Sequence, residues 1–257
     1  MKDFAEFCHV VADRIHSAVS KNVRDNPLAI GTQVGMGADG TPTDLIDKIA
    51  EDEAMKAVKQ SGLNMNVLSE EAGFVDKKAE YTLVLDPVDG TRNACRNLPF
   101  YCTSIAIGKA SLSDVEYGLV MNIPSGDVYE AKKGNGAYLN GKKIKVREYE
   151  KESSLFSFVS GGIKKEFTER LLDMPHLRAL GACALEMSLV ASGALDGYLM
   201  FNPVARITDI AAGALLVKEA GGVLYNAKGE ELNLPFDVKD RTSVIALSCK
   251  EIKKEFL

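Results

Sequence analysis

Leu85-Asp86-Pro87-Val88-Asp89-Gly90-Thr91-Arg92-Asn93 continues directly from the apolar run Tyr81–Leu85. Such a run reads as a buried strand, yet this one ends on two aspartates three positions apart. Taken alone, the stretch also reads as an ordinary turn. Asp-Gly is a common turn pair, Pro87 fixes its own φ, and either aspartate can cap a turn or a helix. The second reading is functional. Pro87 stiffens the turn so that Asp86 and Asp89 aim at one point with the Val88 carbonyl facing inward, and Gly90 lets the backbone approach an anion. The Gly90 and Thr91 amides, at a helix start, then hold phosphate oxygens. The rest of the chain decides between the two.

The 257 residues carry enough apolar character (46%) for a well-buried core of one large domain or two modest ones. A formal net charge of −5 argues against nucleic acid as a partner. No apolar run is long enough to span a bilayer, and the chain opens on an amphipathic pattern, not a signal peptide. The five cysteines contain no C-x-x-C pair, which suits reduced thiols in a cytoplasm. Of the three histidines, His9 and His16 are two helical turns apart and His176 lies next to Pro175. Neither a histidine-ligated zinc nor a Ser-His-Asp triad is supported. A hydrolase built on this chain has to work with carboxylates and metals.

Hydrophobic spacing predicts a first helix over Phe4–Val19, and Thr41 and Pro42 read as the cap and first position of a second that runs to Gly62. Strands are expected at 65–68, 81–85 and 101–107. Residues 115–146 read as antiparallel hairpins, with Asn140-Gly141 a type I′ turn. After Lys151 the pattern alternates: strands at 155–159, 198–201 and 243–247, with helices at 164–173, 182–192 and 209–220. The change near residue 150 divides the chain into an α+β half, 1–150, and an α/β half, 151–257.

Glu70 and Glu71 stand where one predicted strand ends, and Asp209 where a helix begins behind Thr208. Each is unremarkable alone: a solvated acid pair, and a charge on a helix dipole. Together with Asp86 and Asp89 they occupy the edge at which sites form in layered α/β folds. Four converging carboxylates without histidine make an oxygen-rich cage suited to Mg²⁺, and bridging carboxylates suit a two-metal site.

Glu70-Glu71, Asp86-Pro-Val-Asp-Gly-Thr91, Thr208-Asp-Ile-Ala-Ala-Gly213 and Glu219-Ala-Gly-Gly222 resemble the inositol monophosphatase superfamily, in order and nearly end to end. Gly35–Thr43 resembles its archaeal branch, which acts on inositol monophosphate and fructose 1,6-bisphosphate. The resemblance implies an α/β (α+β) fold, a layered αβαβα sandwich of the sugar-phosphatase type, assembled as a homodimer, dependent on Mg²⁺ and inhibited by Li⁺. It implies phosphomonoester hydrolysis by metal-activated water attack. Glu70, Asp86 and the Val88 carbonyl would hold one metal, and Asp86, Asp89 and Asp209 a second. Glu70 with Asp39 of the glycine-rich loop would hold a weaker third. Thr91, oriented by Asp47, would position the water. Arg178, Gly181 and Ala182 match the stretch that holds the substrate's hydroxyls, and Arg178 with Arg206 would suit a second phosphate. The partner is then a phosphorylated sugar or cyclitol. A 3′-phosphoadenosine 5′-phosphate phosphatase and a non-catalytic sugar-phosphate-binding regulator are competing readings. The G-x-G-x-x-G of Gly35–Gly40 raises a third, a dinucleotide-dependent oxidoreductase, which requires a strand before the glycines and a helix on the last of them.

Overall fold

A computed structural model of the chain describes residues 4–256 apart from positions 39, 160, 162 and 164. In chain order the main elements begin with α1 (Phe4–Asp25), β1 (Gln33–Met36), β2 (Pro42–Asp44), α2 (Leu45–Ser61), β3 (Asn66–Ser69) and β4 (Gly73–Val75). Then come β5 (Thr82–Asp89), α3 (Thr91–Cys95), β6 (Cys102–Gly108), β7 (Tyr117–Asn122), β8 (Val128–Lys132), β9 (Gly136–Leu139) and β10 (Lys142–Ile144). The remainder is β11 (Leu155–Phe158), α4 (Lys165–Leu172), β12 (His176–Arg178), α5 (Cys183–Ala191), β13 (Gly197–Ala205), α6 (Ile207–Glu219), β14 (Val223–Tyr225), β15 (Thr242–Leu247) and α7 (Lys253–Phe256).

Burial periodicity builds the layers. Phe7, Cys8, Val11, Ala12, Ile15 and Val19 give α1 one apolar stripe, which packs with α2 on one face of an eight-stranded sheet, β10-β9-β8-β7-β6-β5-β3-β4. In β5, Leu83 and Leu85 point to that face and Val84 to the other, the two-residue alternation of a strand covered on both sides. The far face carries α5 and α6. Every residue of α6 from Ile207 to Val217 is buried, as a helix in a middle layer must be. These helices also meet a five-stranded sheet, β12-β11-β13-β15-β14. In β13, Tyr198 and Met200 face them, while Leu199 and Phe201 face the outer core shared with Leu171 of α4 and Phe256 of α7. The chain thus forms the expected αβαβα sandwich.

Two local expectations are corrected. Thr41 and Pro42 do not open the second helix. Met36 and Gly35 pair with Pro42 and Thr43, so this segment is the return strand of a hairpin, and α2 starts at Leu45. Asp47 fixes that start by accepting the Asp44 N–H at 3.3 Å. The same hairpin removes the dinucleotide reading, because Gly35 lies within β1 and the helix begins five residues after Gly40. The Asn140-Gly141 turn is as expected, with φ of 49° and 74°.

Candidate active site

β5 runs on through the acidic motif to Asp89. Asp86 pairs with Ser104 and Asp89 with Cys102, so three steps on β5 meet two on β6. This is a β-bulge that absorbs one extra residue at Pro87-Val88. Side chains three apart on a regular strand point to opposite faces. The extra residue returns Asp89 to the side of Asp86, and both line one cleft of ≈ 470 Å³. Gly90 follows with φ 93°, and a Cβ there would come within 3.1 Å of the Ala182 Cβ and 3.2 Å of the Phe100 carbonyl oxygen. Only glycine makes this turn at this closeness.

Glu70, in the turn between β3 and β4, and Asp209, in the first turn of α6, join Asp86: one oxygen from each lies within 4.8 Å of the others. Burial raises the Asp86 carboxyl well above its ordinary value, and the charges of Glu70, Asp89 and Asp209 raise it further, while Arg206 opposes them. Asp89 is pushed up to about 7 by burial and by Asp209, against hydrogen bonds from the Ala184 and Cys183 amides at the start of α5. The Ala184 N–H donates to it at 2.6 Å. The Arg206 guanidinium ties the group together, donating to Asp209 Oδ1 at 3.0 Å and to Glu70. An acid cluster whose members repel one another, built from oxygen donors on three separate elements, fits a divalent hard cation.

Beside the triple, Thr91 Oγ1 lies 2.9 Å from Asp47 Oδ1 and 2.9 Å from the Val88 carbonyl. Asp47 is pushed up to about 7, chiefly by burial and further by Glu71. It can therefore hold or release a proton near neutrality. Two buried glutamates brace the cleft walls. Glu51 accepts the Ala72 N–H at 3.1 Å and the Ser69 hydroxyl, fixing the turn that carries Glu70. Glu186 accepts the N–H groups of Leu180, Gly181 and Ala182.

Asp47, Glu70, Asp86, Val88, Asp89, Gly90, Thr91, Gly181 and Arg206 line the cleft, as do Arg92 and Gln33, and Asp209 lies 7% exposed beside them. Two residues anticipated for the site do not line the cleft itself, and a third is not described. Arg178 is exposed on β12 and donates to the Leu177 carbonyl at 2.8 Å; Ala182 is buried; Asp39 lies outside the described residues. Neither glutamate brace was anticipated. The available signal was an acid inside the apolar stretch Cys183–Ala191, which requires a buried partner.

Residues 4–257 match the family model described as the inositol monophosphatase family. A fructose-1,6-bisphosphatase/inositol-1-monophosphatase of Methanothermobacter thermautotrophicus is 38% identical over 261 residues, covering 96% of this chain and 92% of that protein. A bifunctional NADP phosphatase/NAD kinase of Methanococcus maripaludis is 39% identical over 238 residues, covering 82% of this chain and 42% of that longer protein. A solved inositol monophosphatase-fructose 1,6 bisphosphatase superimposes with a TM-score of 0.88 at 33% identity, covering 99% of this chain and 98% of that one.

Proposed function

The chain belongs to the inositol monophosphatase family, and we propose that its Glu70, Asp86 and Asp209 hold the Mg²⁺ on which phosphate-ester hydrolysis depends. It is a phosphatase acting on inositol phosphate, fructose bisphosphate or both. The observation that carries the assignment of the site is the meeting of that acid triple with the Asp47–Thr91 pair in one cleft.

In this reading Glu70, Asp86 and the Val88 carbonyl take one ion, Asp86, Asp89 and Asp209 a second, and Glu70 with Asp39 a weaker third. Bound Mg²⁺ supplies the positive charge that eases deprotonation of water and stabilises the departing oxygen. The protein's own groups do the rest. Thr91, held by Asp47, orients the attacking water, and Asp47 can accept its proton. The Gly90 and Thr91 amides hold phosphate oxygens, and Gly181 faces the remainder of the substrate. Arg92 is exposed at the cleft and forms no ion pair among the described residues, so it is better placed than Arg178 to meet a second phosphate. Arg206 is engaged with Glu70 and Asp209 and serves the cage first. Li⁺ inhibition, a homodimer and a cytoplasmic setting belong to the same reading. No helix among the described residues is long and apolar enough to cross a membrane.

The 39% identity to an NADP phosphatase/NAD kinase favours a second reading, a 2′-phosphate ester on a dinucleotide as substrate. A panel with Mg²⁺ decides between them: inositol 1-phosphate, fructose 1,6-bisphosphate, NADP and 3′-phosphoadenosine 5′-phosphate. The highest kcat/KM is expected on one of the first two. Preference for NADP or the adenosine bisphosphate would overturn the sugar-phosphate assignment, and no turnover of any would leave only a binding role.

A further inference from the structure

We propose that Glu186 is a positioning residue that sets the cleft wall facing the sugar or cyclitol, an inference that rests on the phosphatase reading. Glu186 is 1% exposed on α5, whose neighbouring residues are buried, so its carboxylate has been taken almost wholly out of water. Ser157 and three main-chain donors offset that burial. Oε1 accepts the Leu180 N–H at 3.4 Å, and Oε2 accepts those of Gly181 and Ala182 at 3.1 and 3.2 Å. The next two amides along the chain, Cys183 and Ala184, serve Asp89. Five consecutive N–H groups are therefore divided between a cage aspartate and Glu186.

The other side of the loop is also held. Asn93 Nδ2 donates to the Leu180 carbonyl at 2.7 Å and to the Phe100 carbonyl at 2.8 Å. Asn93 lies on α3, two residues beyond Thr91, so the loop is referenced to the phosphate turn through one amide side chain. Gly181 lines the cleft between these two restraints. With their N–H groups committed to Glu186, residues 180–182 present the substrate with a wall whose peptide planes are fixed in advance. Glu186 touches no reacting atom. Its influence should fall on the part of the substrate beyond the phosphate, and hence on KM before kcat.

Glu186→Gln tests this with little change of shape. It replaces one oxygen by an NH₂ group, and because both oxygens accept, at least one loop N–H then faces a donor whichever way the amide turns. On the better of inositol 1-phosphate and fructose 1,6-bisphosphate, KM is expected to rise about tenfold, the scale of one hydrogen bond to a charged group, with kcat little changed. KM for glycerol 2-phosphate, which has no ring to reach the wall, should stay near the wild-type value, as should the Mg²⁺-induced rise in Tm. Asn93→Ser, which releases the loop from the opposite side, should give the same pattern and stands in if Glu186→Gln does not fold. Unchanged KM on the ring substrate, or equal rises on ring and glycerol esters, would overturn the proposal. A wild-type protein that hydrolyses none of the three esters would instead overturn the phosphatase reading beneath it.

Discussion

An aspartate at the buried end of a strand costs free energy unless something accepts its charge, and Asp86 shares that cost with Glu70, Asp89 and Asp209. Replacing Asp86 or Asp209 by Asn should therefore leave the fold intact while lowering kcat by about three orders of magnitude, the equivalent of several kcal/mol of metal assistance. Circular dichroism and steady-state rates check both halves, and near-normal turnover would remove the residue from the site. Arg206 and Arg92 should separate. Arg206→Ala should depress turnover of inositol 1-phosphate and fructose 1,6-bisphosphate alike, since it holds Glu70 and Asp209. Arg92→Ala should raise KM for the bisphosphate by about tenfold and spare the monophosphate. Asp47 makes a pH prediction for the metal-free protein. Its carboxyl moves from an ordinary 3.8 up to about 7, so the folded state binds this proton more tightly than the unfolded chain. The associated stability is complete below 3.8 and lost as pH rises through 7. Asp89 and Glu186, also pushed up to about 7, act over the same window, so Asp47→Asn should lessen the fall of Tm without abolishing it, and an unchanged slope would show that Asp47 does not contribute. The acids of the cage were legible because a fixed spacing at a strand end is visible in one dimension. Glu186 showed only as a lone acid in an apolar helix, and the loop amides it holds leave no mark on side-chain pattern.

The bulge in β5 is the element on which the site turns, and it makes a sharper claim than any single acid. Inserting one residue beside Thr103 in β6 should match the extra residue of β5, restore regular pairing and swing Asp89 to the face opposite Asp86. Such a protein should retain its secondary structure but show no Mg²⁺-dependent rise in Tm; a normal rise would mean that the bulge does not aim the acids. If Asp39, which falls between β1 and β2 in the sequence, serves the third ion as proposed, Asp39→Ala is expected to raise the Mg²⁺ concentration for half-maximal activity and weaken Li⁺ inhibition, with Tm nearly unchanged. Helices α1 and α6 and the hairpins between 117 and 144 could be read from sequence because they are long, periodic or closed by specific turn residues. Strands β4, β12 and β14, each three residues, could not, since two alternations establish no period. The hairpin was mistaken for a helix start because Thr-Pro suits either, and only pairing with β1 decides it.

Across the whole molecule the prospective ligands are far apart in sequence: Glu70 follows β3, Asp86 and Asp89 end β5, and Asp209 opens α6. An ion held between them binds the folded state alone and stabilises it, by about 2.7 kcal/mol at a hundredfold excess over Kd. At this size that amounts to roughly 5–10 °C in Tm. No shift at saturating Mg²⁺ would count against the cage. The five layers followed from the resemblance of the acidic motifs to a known family, and the burial of α6 on every side from Ile207 to Val217 is what a helix between two sheets requires. How the sheets face each other was not legible in the sequence, since that depends on contacts between residues a hundred or more positions apart. The same separation makes catalysis a proofreading signal for chain assembly. A polypeptide emerging from the ribosome can form β5 and its acidic bulge long before Asp209 exists, and on the proposed site it would stay silent toward phosphate esters until α6 docks. On refolding from denaturant, hydrolysis should return only after the helical signal has recovered, and the lag between the two would time the closing of the sandwich.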